Sequence, residues 1–168
     1  MNEVRKNPDH EAVIGIGSNI SPQENIRSAL YLLDRMVEIQ LLSQVWKTPA
    51  VGSPGPDFLN AAALITTSFS LKALRNEILR PIENLLGRVR TQDPNSPRTI
   101  DLDTLIFQGE QLDNKLWEYA HMAVPVAELL PDYIDPNSGQ RAGAIAARML
   151  DSLPIEKAGL NFHWASAS

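Results

Sequence analysis

Between Ala12 and Phe107 the apolar residues switch back and forth between the period of a strand and that of a helix, and that order restricts the folds open to the chain. Ala12-Val-Ile-Gly-Ile-Gly17 is a short apolar run ending in glycine, the pattern of a buried strand that enters a tight turn. Ser21-Pro-Gln-Glu24 has the form of a capping box with proline at the first helical position. Ile26, Leu30, Leu33 and Val37 then recur at helical spacing, so one face of this helix is apolar and needs a sheet to cover it. Ile39 to Lys47 is strand-like, a Gly- and Pro-rich loop follows Thr48-Pro49 as far as Pro56, and Leu59 to Thr67 predicts a third strand. Ser70 is placed to cap a second helix with a stripe of Leu71, Leu74, Ile78, Ile82 and Leu86, and Gly87 to stop it. Pro81 lies inside that stripe and should bend or split the helix.

The order β-α-β-β-α-β is that of an α+β, ferredoxin-like sandwich, with helices packed on a mostly antiparallel sheet. Beyond Phe107 the pattern is weaker. Gln108-Gly109 and Asp135 to Gly139 are turns, Leu112 to Met122 is irregular, and Val124 to Leu130 predicts a helical turn or two before Pro131. Ala142 to Leu150 predicts a helix of small residues. The 168 residues are enough for one packed domain, with residues 1–10 and 155–168 as loosely ordered tails.

The last strand of the pattern carries the chemistry. In Pro97-Arg-Thr-Ile-Asp-Leu-Asp103, Asp101 and Asp103 are two apart on a strand and so share a face, their Cβ atoms roughly 6–7 Å apart. Two carboxylates so placed suit Mg²⁺, which takes one or two protein carboxylates and completes its octahedron with water and substrate phosphates. The plainer reading is a solvated strand face, although Asp is depleted in strands. Arg75, Arg80, Arg88, Arg90 and Arg98 cluster nearby in a chain of net charge −5, which points to a small anionic ligand rather than nucleic acid. Arg75 and Arg80 also suit a merely solubilising role. There is no cysteine, hence no disulfide framework, thiolate metal site or Cys nucleophile. Neither a membrane span nor a signal-peptide core is visible, so a soluble, cytoplasmic protein is expected.

Several blocks, in this order, resemble the 6-hydroxymethyl-7,8-dihydropterin pyrophosphokinase family. They are Gly17-Ser18-Asn19, Trp46-Lys-Thr48-Pro49, Pro56-Asp-Phe58-Leu-Asn60-Ala, Glu83 with Leu86-Gly-Arg88-Val-Arg90, and Pro97-Arg98-Thr-Ile-Asp101-Leu-Asp103. The resemblance implies Mg²⁺-dependent transfer of a diphosphate from ATP to a pterin alcohol, with release of AMP, in folate biosynthesis. It implies that Asp101 and Asp103 hold two Mg²⁺ ions and that Arg88 and Arg98 act on the phosphates. It further implies that Glu83, Arg90 and Thr104 serve the nucleotide, and that Thr48, Pro49, Val51, Phe58 and Asn60 hold the pterin. Small molecules are then the partners, with no obligate protein partner. Without the resemblance, Phe58 reads as a core residue, Asn60 as a turn residue and Arg88 as a cation at a helix C-terminus.

The chain departs from the family pattern in three places. Pro94 and Asn95 stand where relatives carry a further basic residue and a lid tryptophan, and the loop Val51 to Pro56 is short. The segment 112–123 is contracted, so a family arginine has no counterpart and the second stacking aromatic corresponds to His121, Trp117 or Tyr119. These losses raise an alternative, a relative that binds nucleotide or pterin with little turnover. A phosphotransferase acting on another small alcohol is a third reading.

Overall fold

A computed structural model describes residues 9–50, 52, 54–160 and 162. Its elements run β1 (His10–Ser18), α1 (Pro22–Asp34), β2 (Glu38–Leu42), β3 (Trp46–Thr48), β4 (Phe58–Thr67), a helix in three parts, β5 (Asp101–Phe107), β6 (Glu110–Gln111), α4 (Ala120–Leu129), α5 (Ala142–Ser152) and β7 (Glu156–Lys157). The three-part helix consists of α2 (Leu71–Ala73), a π-helical stretch (Leu74–Leu79) and α3 (Arg80–Leu85). The strands form one sheet in the order β6-β5-β1-β4-β3-β7, with β2 also on β4, and every pairing among the described residues is antiparallel. This is the expected α+β, ferredoxin-like order, to which a second helical layer is added. Ala12, Ile14 and Ile16 of β1 pack under α1 and the three-part helix. Val13 faces the other way, into a cluster with Val124 and Val126 of α4 and Ile145 of α5.

The local helix signals hold at the second helix and fail at the start of α1. Ser70 caps its helix, its Oγ accepting from the Ala73 amide at 3.2 Å. Gly87, at φ +78°, ends it in a Schellman turn, with its own amide bonded to the Asn84 carbonyl and the Arg88 amide to the Glu83 carbonyl. The capping box at Ser21 does not form: Ser21 is left-handed, at φ 39°, and its side chain makes no capping bond. Asn25 Nδ2 instead ties back to the Ile20 carbonyl at 2.6 Å. Pro81 splits the helix through the π stretch, in which the Arg80 amide reaches back five residues to the Arg75 carbonyl, and the proline becomes an early residue of α3.

The strand expected over 39–47 is two strands, parted at Ser43. That hydroxyl donates to the Gln44 carbonyl and accepts from the Ala62 amide, which takes the local ladder out of register. The one or two helical turns expected after Val124 are a ten-residue helix with Pro125 inside it. Past Pro154 the chain adds β7 to the β3 edge and packs Ala158, Leu160 and Phe162 on the α1-side core, so these residues are tied down where a loose tail was expected.

Candidate active site

The cross-strand register builds the site. Asp101 of β5 lies opposite Gly17 of β1, Gly17 opposite Asn60 of β4, and Asn60 opposite Trp46 of β3. One row away, Asp103 lies opposite Gly15, and Gly15 opposite Ala62. These side chains share the sheet face that α4 covers elsewhere. The two glycines leave the floor between the acids and Asn60 bare. Gly17 lies one residue before the end of β1, where the chain bends as the sequence implied, but its backbone is not left-handed and its role is clearance. A Cβ there would sit 3.2 Å from Asn60 Oδ1, and one on Gly15 would meet Leu105 Cδ1 at 2.8 Å. The result is a cleft of about 190 Å³, walled by Thr48, Pro49, Phe58 and Asn60 on one side, by Asp101 and Asp103 on the other, and by His121 and Met122 at the start of α4. That volume suits one flat ring better than a whole nucleotide. A second cavity of about 1040 Å³, along the open edge of β5, is lined by Arg75, Arg80, Thr104 and Lys115 among others. Asp103 and Leu105 border both.

Electrostatics single out the acid pair. Water reaches Asp103 through the cleft mouth, while the walls enclose its other sides and Asp101 repels its charge; enclosure first and Asp101 second push it up to about 7. The Asp101 carboxylate also favours its protonated form by hydrogen bonding. A hard divalent cation relieves that repulsion, so the donor set fits Mg²⁺. Among the described residues no three His, Cys, Asp or Glu converge, which leaves such an ion open to water and phosphate oxygens. Arg98 closes the other end: Nη1 donates to Asp101 Oδ2 at 3.0 Å, Nη2 donates to the Pro94 carbonyl, and the guanidinium lies 5.7 Å from the Phe58 ring centroid. Asn19 Oδ1 fixes its backbone, accepting from the Arg98 amide at 2.7 Å. On the opposite wall Asn60 Nδ2 donates to Thr48 Oγ1 at 2.9 Å, leaving Asn60 Oδ1 as an acceptor.

A sequence model described as 7,8-dihydro-6-hydroxymethylpterin-pyrophosphokinase matches residues 13–131. The chain belongs to this pyrophosphokinase family. Proteins named 2-amino-4-hydroxy-6-hydroxymethyldihydropteridine pyrophosphokinase are similar to it in Synechocystis sp., 33% identical over 142 residues (78% of this chain, 72% of that one), and in Haemophilus influenzae, 34% identical over 139 residues (76% and 86%). Among solved structures, the wild-type Plasmodium falciparum HPPK-DHPS with pterin and p-hydroxybenzoate aligns at TM-score 0.65 and 11% identity, over 89% of this chain and 44% of that one. An HPPK-DHPS in complex with substrates aligns at TM-score 0.65 and 12% identity, over 86% and 44%. The chain therefore spans less than half the length of those two-part proteins, and at such identities the likeness establishes the fold alone.

Within this pyrophosphokinase fold the expected site residues divide into groups. Thr48, Pro49, Phe58, Asn60, Arg98, Asp101 and Asp103 meet in the cleft, and Thr104 lies in the larger cavity. Glu83, Arg88 and Arg90 border neither cavity as described, and Val51 lies outside the described residues. Burial lowers the Arg88 pKa against the pull of Asp101, and its Nε is buried without a partner. Of the aromatics in the contracted segment, Trp117 is buried in the α4-side core, with Nε1 on Gln111 Oε1 at 2.9 Å and its ring stacked on Tyr133, which removes it as a ring-binding partner. His121 is the one that reaches the cleft, and burial holds its pKa below the usual value. Asn95, at the position where the family resemblance implies a lid tryptophan, sits against Gly52: a Cβ on Gly52 would lie 2.6 Å from Asn95 Nδ2. Gly15, Leu105 and Met122 were not foreseen, because their roles depend on which strand or helix lies opposite.

Proposed function

We infer that this protein transfers a diphosphate from ATP to 6-hydroxymethyl-7,8-dihydropterin, releasing AMP, in folate biosynthesis. The observation that carries the reading is the position of Asp103 on the border between a ring-sized cleft and a larger cavity, which suits two substrates meeting at one acid pair. Mg²⁺, with two ions expected, would be held by Asp101 and Asp103 and would supply charge neutralisation at the bridging and terminal phosphate oxygens. Phe58 offers its face to the pterin ring, and Asn60 with Thr48 offers donor and acceptor groups to its polar edge. Arg98, beside Asp101 at the end of the cleft, would hold the phosphates, its planar fork matching phosphate bidentately. Thr104 and its strand edge receive the nucleotide. The protein adds little covalent chemistry, and its work is alignment and charge stabilisation.

No helix among the described residues is long and apolar enough to cross a membrane, and a cytoplasmic location with small-molecule partners fits this reading. The weak-turnover alternative draws no support from the relatives, which are named as pyrophosphokinases. Protein incubated with Mg²⁺, ATP and the hydroxymethyl pterin should release AMP. ADP in its place would mean single-phosphoryl transfer, and pterin binding without AMP would revive the weak-turnover alternative.

A further inference from the structure

Glu83 is 2% exposed, and each of its carboxylate oxygens has one partner. Oε1 accepts from Arg90 Nη2 at 2.8 Å, and Oε2 accepts from the Leu102 amide at 3.3 Å. Leu102 is the residue between Asp101 and Asp103. A single buried carboxylate thus touches both the loop that carries Arg88 and Arg90 and the strand that carries the acid pair. The main chain repeats the link, since the Glu83 carbonyl accepts the Arg88 amide at 3.0 Å in the Schellman turn. Burying a carboxylate is costly unless it is paired and hydrogen-bonded. Burial does raise the Glu83 pKa, and the Leu102 amide and Arg90 oppose that rise. A residue that borders neither cavity is poorly placed to touch nucleotide, so its charge calls for another use. Arg90, by contrast, is half exposed and free to exchange partners.

We propose that Glu83 is a positioning residue: it docks the arginine loop onto the Asp101–Asp103 strand through Arg90, so that loop and acid pair keep one register while the phosphates are bound. This rests on the diphosphoryl-transfer reading and replaces the direct nucleotide contact expected for Glu83. A carboxylate acting through Arg90 has a distinctive signature, because removing either partner should cost the same step and removing both should cost little more.

The test is a double-mutant cycle on the full chain. Glu83→Gln keeps the shape and an acceptor for the Leu102 amide while discharging the pair. Both Glu83→Gln and Arg90→Ala should lower kcat about tenfold, and the double variant should be no worse than about twofold below either. KM for the pterin should stay within about twofold, since the ring cleft is untouched. A ligand-free arm uses amide hydrogen exchange. The Leu102 amide should exchange faster in Glu83→Ala than in Arg90→Ala, whereas amides 88–91 should exchange faster in both. Effects on kcat that multiply in the double variant, or wild-type kcat in Glu83→Gln, would overturn the proposal. Wild-type protein that releases no AMP would overturn the proposed reaction instead, and the exchange arm alone would then decide whether Glu83 holds the loop.

Discussion

The two faces of the sheet are made by the same strands and differ in what their alternate residues do. On the α1 side β1 presents Ala12, Ile14 and Ile16, and β4 presents Ala61, Ala63 and Ile65, all nearly or fully buried in a continuous core. On the α4 side the same strands present Val13 then Gly15 and Gly17, and Leu64 and Ala62 then Asn60 and Phe58. The change comes where α4 begins. Beneath the helix the residues are aliphatic, and past its first turn they are glycine, amide, aromatic and carboxylate. Burial stability and chemistry are thereby separated by the period-2 alternation of single strands, and the closed face keeps the open one in shape.

If the separation is real, substitutions on the two faces should fail in different assays. The largest effect belongs to the open face. Asp101→Ala or Asp103→Ala should cut AMP release by about a hundred- to a thousandfold, because a lost charge-stabilising group of this kind is worth roughly 2.7–4 kcal/mol, while the melting temperature holds or rises. A variant that melts early and keeps its turnover per folded molecule would reverse the assignment. Ile14→Ala, on the closed face and 0% exposed, should show the opposite profile: a loss of about 2–5 kcal/mol in denaturant unfolding, with kcat of the folded fraction nearly unchanged. Smaller still is Gly17→Ala. Its Cβ would press on Asn60 Oδ1 and disturb the bond to Thr48, so pterin affinity measured by calorimetry should fall about tenfold while stability moves by about 1 kcal/mol or less. Unchanged pterin affinity would mean that the bare floor is not where the ring lies.

What could be read in advance follows the same divide. Asp101 and Asp103 were legible because two residues on one strand share a face whatever lies beside them, and Phe58 and Asn60 for the same reason. Gly15 was not, since its role comes from Leu105 and Asp103 across the sheet, partners set by register. Ser21 misled because a good capping sequence competes with the bend needed between Asn19, bonded to Arg98, and the start of α1. Pro81 was readable as a disruption but not as a π stretch, whose extra residue depends on how the whole helix lies on β5. The segment after Leu116 defeated periodicity because Pro125 sits within a helix buried along much of its length, where an amphipathic stripe is weak.

The least expected loss separates the faces by pH. An Asp103 carboxyl that titrates near 7 in the folded protein, against about 3.9 when unfolded, binds its proton more tightly in the folded state. Stability should therefore fall as pH rises between those two values, and the penalty is complete above about 7. In metal-free buffer the melting temperature should drop by about 2–4 °C between pH 5 and pH 8 for each kcal/mol involved, and Asp103→Asn should remove that part of the drop. Added Mg²⁺ should stabilise the wild-type protein more at pH 8 than at pH 5, since a cation bound at the lower pH must first displace the proton. Ile14→Val, which trims the closed face alone, should shift the whole curve by about 0.5–1.5 kcal/mol without changing its slope. A difference between wild type and Asp103→Asn that stays constant from pH 5 to pH 8 would mean that neither enclosure nor Asp101 raises the Asp103 carboxyl, and the charged side of the comparison would have to be redrawn.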